Sequence, residues 1–214
     1  MPSFALSQPR TLSDAVLPRH ADTHGWVVDA ILVTLFSGFV ALSARIAIPL
    51  PFTEVPVTGL TLGVLFTGAV LGSRRGALAL LLYLIEGAAG LPVFAPSAVL
   101  PPGIGRLLGP TGGYLIASPL VAAVAGLLAE RGWDRRLMWT ALAMLIANLL
   151  IYVVAIPWLM LFKGSLWLAL AQGMLPFIPG DLVKIAVATG ALPGGWMLLH
   201  KVRGGRNGPQ TDSP

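Results

Sequence analysis

The charged residues of this 214-residue chain stand almost entirely between its apolar runs, and that separation restricts the possible folds more than any other feature. Apolar stretches run from about 27 to 48, 57 to 71, 76 to 89, 113 to 128, 137 to 161 and 180 to 199. A hydrocarbon core of ~30 Å takes about 20 helical residues to cross, so the chain has room for about six crossings and no sizeable soluble domain. Only 11% of residues are charged, against roughly 25% in a soluble domain. Leu and Ala dominate the runs, without β-branched alternation, which favours helices over barrel strands. The expected fold is an all-α integral membrane protein of six transmembrane helices over 26–200. A cytoplasmic tail over 1–25 and a polar tail over 201–214 flank it.

The connections fix an orientation. With a cytoplasmic N-terminus, Arg10, Arg19, Arg74, Arg75, Arg131, Arg135, Arg136, Lys201, Arg203 and Arg206 all fall on the cytoplasmic side. Arg106 and Lys163 fall in outer loops, and Arg45 near the outer end of the first span can snorkel to the interface. This is the positive-inside pattern, with both termini in the cytoplasm. The net charge of +5 is therefore a topology signal. No basic stripe interleaved with aromatics points to nucleic acid. Cys is absent and His20, His24 and His200 lie outside the expected spans, so no metal centre is expected. Residues 1–25 lack an apolar h-region and read as a tail, not a signal peptide. No Walker A loop and no nucleophile elbow occurs, so neither an enzyme nor a self-powered pump is expected, and no cofactor.

Against this background Pro176-Phe-Ile-Pro-Gly-Asp-Leu-Val-Lys184 stands out. It puts Asp181 and Lys184 three residues apart, on one face of a helix that otherwise reads as membrane-embedded. A charge at membrane depth costs at least ~2.5 kcal/mol and normally faces a partner, a cavity or a substrate. The residues alone leave two readings open: contacts to a polar solute, or a mutual salt bridge at the start of the sixth helix.

Other features are less specific. Pro49-Leu-Pro-Phe-Thr-Glu-Val-Pro56 is too proline-rich for helix and reads as an extended outer segment lying over something. The Gly/Pro-rich outer loop over 90–113 is long enough to be functional, and its consecutive glycines expose N–H groups that can meet a carboxylate. Asn148 and Tyr152 share a helical face at i, i+4, either bonding neighbouring helices or touching a substrate. Glu86 reads as an interfacial carboxylate or a ligand contact. Small residues along the first span, among them Gly38, Ala41 and Ala44, make it a candidate docking surface. Pro119 is expected to kink the fourth span, residues 166–174 to form a short interfacial helix, and Pro193-Gly-Gly195 to weaken the end of the sixth span.

Several ordered segments carry a resemblance. They are Ile48-Pro-Leu-Pro-Phe-Thr-Glu-Val-Pro-Val57, Leu71-Gly-Ser-Arg-Arg-Gly76, Tyr83 through Gly90-Leu-Pro-Val-Phe-Ala95, Gly109-Pro-Thr-Gly-Gly-Tyr114 and Pro176-Phe-Ile-Pro-Gly-Asp181 with Lys184. Together, over about 27–200, they resemble the BioY family, the substrate-binding S components of energy-coupling-factor biotin transporters. The resemblance implies a bacterial inner-membrane protein that captures biotin near its outer side. It also implies assembly with a transmembrane T component and two cytoplasmic ATPases. In that family the Pro-Gly-Asp-x-x-Lys motif contacts biotin, which carries over to Asp181 and Lys184. The first loop, with Phe52 and Thr53, resembles the segment covering the vitamin. Phe94, Thr111, Gly112, Gly113, Tyr114, Asn148 and Tyr152 complete the candidate binding set. Three departures bear on the carboxylate-binding arrangement. Leu115 stands where some members have a basic residue, Gly59-Leu60-Thr61 replaces a Leu-Gln-Thr triplet, and 95–103 replaces a glycine-rich run. Another vitamin, or a scaffold role without a ligand, are the alternatives.

Overall fold

Residues 10–17, 25–97 and 102–206 are described by the computed structural model of the chain. The expected tail residues 1–9, 18–24 and 207–214, and loop residues 98–101, lie outside the described residues. The chain is mostly helical. Four stretches are long and apolar enough to cross a membrane: Gly25–Arg45, Gly112–Glu130, Leu137–Lys163 and Leu166–Val202.

Helix α1 (Leu12–Val16) starts the described chain, with the Thr11 side chain accepting from the Asp14 N–H. This part of the expected tail is folded against the bundle, with Leu12 and Ala15 buried. The reason is Arg75, itself buried. Its guanidinium reaches Asp14 at 2.7 Å, Asp29 at 3.0 Å and the Ser13 hydroxyl at 3.0 Å. A buried cation needs such anions, so the tail supplies one.

Helix α2 (Gly25–Arg45) buries only a narrow stripe, Ser37, Val40 and Ala44. Strands β1 (Ala47–Leu50) and β2 (Thr53–Thr58) follow as an antiparallel hairpin, with Ile48 opposite Val57 and Leu50 opposite Thr53. The all-α expectation is corrected here: the proline-rich first loop is extended as expected, but pairs with itself. Its register slips between Ile48 and Leu50, at Pro49, which has no N–H to give a ladder.

Helices α3 (Leu60–Leu71) and α4 (Ser73–Ala88) are joined by Gly72 alone, at φ 88°. A side chain there would be strained, and its Cβ would lie 2.7 Å from Glu130. The Glu130 carboxylate accepts from the Ser73 N–H at 2.7 Å and its hydroxyl at 2.8 Å, satisfying the start of α4. At 12 and 16 residues these helices are ~18 and ~24 Å long, shorter than the four apolar stretches.

Helix α5 (Ile104–Leu108) leads into α6 (Gly112–Glu130), the central helix, which packs on α3, α4 and α7. After a 3-10 turn at Trp133–Arg135 comes α7 (Leu137–Lys163), and then α8 (Leu166–Gly173). A 3-10 turn at Leu175–Phe177 opens α9 (Ile178–Arg206). Pro193 does not end α9. Trp196 is held by the Asp134 carboxylate, to which its Nε1 donates at 2.6 Å, and by the Arg135 guanidinium 4.5 Å over its ring. One end of the bundle thus carries α1, the α3–α4 turn and the α6–α7 turn. The other carries the hairpin, α5, α8 and the start of α9.

Candidate functional site

At the hairpin end, β2, α3, α5, α6, α7 and α9 surround a cavity with about 670 Å³ of space, its open mouth included. Most of its wall is apolar, including Val55, Pro56, Leu60, Leu115, Ile151 and Phe177.

Its polar groups come from two places. The first lies where α7 meets α9. Asp181 is 5% exposed, one turn into α9, near the positive N-terminus of that helix. Its Oδ2 accepts from Asn148 Nδ2 at 3.0 Å and from the Tyr152 hydroxyl, and its Oδ1 from Lys184 Nζ at 3.1 Å. Asp181, Lys184 and Tyr152 all face the cavity. The ion pair and the cavity wall are one arrangement.

The second place is α5 and the start of α6. Arg106 is buried in the wall, donates to the Ala95 carbonyl at 3.0 Å, and has no partner for Nε among the described residues. Burial holds its guanidinium below its usual pKa, partly offset by Tyr83. Arg is not deprotonated in proteins, so the shift reads as a buried charge short of an anion. Thr111, also in the wall, has a buried hydroxyl without a partner among the described residues, and so has Tyr83, whose ring meets Phe94 edge-on at 5.3 Å.

Of the residues singled out from the sequence, Asp181, Lys184, Tyr152, Thr111, Tyr114 and Phe94 stand in the wall. The Tyr114 hydroxyl is already used, donating to the Gly173 carbonyl at 2.6 Å. Gly112, Gly113, Asn148, Phe52 and Thr53 stand outside it. A Cβ on Gly113 would lie 2.6 Å from Trp158 Cβ and one on Gly112 1.8 Å from the Leu107 carbonyl, so both permit close helix packing. The Gly112 N–H is spent on Gly109 at 2.9 Å. Phe52 is exposed at the hairpin tip, and the Thr53 hydroxyl accepts from the Val55 N–H at 3.2 Å. Glu86 accepts from Ser37 at 2.6 Å, between α2 and α4.

Sequence reasoning left Arg106 as an outer-loop charge. The available signal was its setting, a lone cation directly after Gly103-Ile-Gly105 in an otherwise apolar loop. Leu115, where a basic residue was missed, sits in the same wall that Arg106 supplies with a cation.

The family model that matches this chain is that of the BioY family, over residues 14–201. The chain belongs to the BioY family. A probable biotin transporter BioY of Pyrococcus horikoshii is 41% identical over 157 residues, covering 73% of this chain and 89% of that protein. The biotin transporter BioY of Rhodobacter capsulatus is 44% identical over 171 residues, covering 73% and 86%. A crystal structure of the S-component for biotin from an ECF-type ABC transporter superposes with a TM-score of 0.70 at 22% identity, over 86% of this chain and 95% of that one. That likeness establishes the fold. The segment Pro179-Gly-Asp-Leu-Val-Lys184 brings Asp181 and Lys184 to the cavity.

Proposed function

We propose that this chain is the membrane-embedded biotin-capture subunit of an energy-coupling-factor transporter. The observation that carries the reading is the pinned, buried Asp181 beside Lys184 in the wall of an otherwise apolar cavity. Biotin offers a ureido group that donates and accepts, an apolar ring and a carboxylate tail. An ionised Asp accepts from ureido N–H groups, while Lys184 donates to the ureido carbonyl. Arg106 and Thr111, with their unpartnered polar atoms, suit the tail carboxylate. Phe94 and Phe177 enclose the ring.

In this reading the chain crosses the bacterial inner membrane six times, α3 and α4 crossing as the shorter pair, with both termini cytoplasmic. Arg74, Arg75, Arg131, Arg135 and Arg136 gather at the end opposite the cavity, which supports that orientation. Coupled uptake then requires a transmembrane T component and two ATPase subunits. The outward face of α2 suits the former. Gly38 has open space beside it, whereas Ala44 is buried against the bundle.

A second reading has its own support: the Asp181 network also ties α7 to α9, as a structural lock would. Binding of purified protein to a vitamin panel, with thermal unfolding, separates the two. Biotin should bind best, and Asp181→Asn and Lys184→Ala should each weaken it about ten- to a hundredfold while the fold survives. A lock predicts instead that each single change destabilises the fold. Wild-type affinity in the double variant would refute the capture reading.

A further inference from the structure

Asn148 is one turn before Tyr152 on α7, 3% exposed, and takes no part in the cavity wall. Its Nδ2 nevertheless donates to Asp181 Oδ2 at 3.0 Å, while its own Oδ1 is buried without a partner among the described residues. The amide orientation is forced: turned over, its oxygen would face the carboxylate. A carboxylate accepts about four hydrogen bonds, two per oxygen. Asn148 and Tyr152 fill Oδ2, and Lys184 takes one place on Oδ1.

Resting on the biotin reading above, we propose that Asn148 is a positioning residue for ligand recognition. It fixes Oδ2 against α7 and so presents the remaining acceptor direction on Oδ1 to one ureido N–H. Asn148 touches no ligand atom itself and acts only through Asp181. Because the network is complete before the ligand arrives, binding does not have to order the carboxylate. Without Asn148 only Tyr152 and Lys184 restrain the Asp181 carboxylate, so the acceptor direction is held less firmly although the charge remains.

A double-mutant cycle on the full-length protein in detergent tests this, with biotin titration and ligand-free thermal unfolding on N148L, D181N and the double variant. N148L should weaken biotin binding about tenfold. In the D181N background the same change should cost less than about threefold, because the group it positions is already gone. For biotin methylated on its ureido nitrogens, which cannot donate to Asp181, N148L should leave the residual affinity unchanged. Wild-type affinity of N148L for biotin, or a full loss repeated in the D181N background or with the methylated probe, overturns the proposal. Should N148L fail to fold, N148A removes the donor without added bulk and is read in its place. Failure of both to fold assigns Asn148 a purely structural role and also overturns it. If wild-type protein does not bind biotin, or D181N binds it normally, the capture reading fails instead.

Discussion

Arg106 is the residue whose role the tertiary structure changes most, because its buried Nε has no partner among the described residues, in a wall that is otherwise largely apolar. Arg106→Gln should weaken biotin binding about tenfold, as expected for a lost charged hydrogen bond. The same variant should bind biotin methyl ester as wild type does. An equal loss for acid and ester in titration would place the tail carboxylate elsewhere. At the far end of the bundle, burial raises the Asp134 carboxyl to about 6, against the opposing pull of Trp196 and Arg135. Between pH ~4 and ~6 the folded protein therefore holds more protons than the unfolded chain, and Asp134 contributes a loss of stability as pH rises through that window. Asp134→Asn keeps an acceptor for Trp196 and removes the ionisation. It should be more stable than wild type at pH 7.5, by at most about 3 kcal/mol, with no advantage at pH 4. Thermal unfolding at both pH values checks this. The pairing of Asp181 with Lys184 was legible because i, i+3 spacing on a helix is local. Arg106 was not, because its burial depends on where α5 lies against α6.

Strand β2 of the hairpin forms part of the cavity wall, through Val55, Pro56 and Thr58. It is tied to the end of α7 by an ion pair between Glu54 and Lys163, 109 residues apart in sequence. The Lys163 partner holds the Glu54 carboxyl below its usual pKa. Partly exposed pairs of this kind contribute roughly 0–1 kcal/mol, enough to alter a release rate without unfolding the protein. Glu54→Gln should therefore speed biotin release a few-fold in stopped-flow exchange, and the effect should shrink at high salt as screening weakens the wild-type pair. An unchanged release rate at low salt would show that the hairpin is held by its apolar contacts alone. Proline content gave the extended character of this segment. Its self-pairing was hidden because three prolines in eight residues argue against any ladder.

For the whole molecule, basic groups lie at the end carrying the α3–α4 and α6–α7 turns, and the cavity opens at the other. A cysteine at exposed Arg136 should resist an impermeant thiol reagent applied outside intact cells, whereas one at exposed Leu91 should react. The reverse pattern would invert the orientation. Composition and spacing were enough to show that the chain is built of apolar helices with charges in the turns. They also showed that Asp181 and Lys184 share a face, and that Asn148 and Tyr152 share another. These follow from composition and helical periodicity, which act over a few residues. The meeting of the two faces is a property of the packed bundle, with Asn148 and Tyr152 closing on a carboxylate 33 and 29 residues away. That packing alone placed Arg106 in the cavity wall, gave Gly112 and Gly113 to helix packing, and folded α1 against Arg75. Contacts of that kind depend on how helices cross, and no local pattern encodes a crossing.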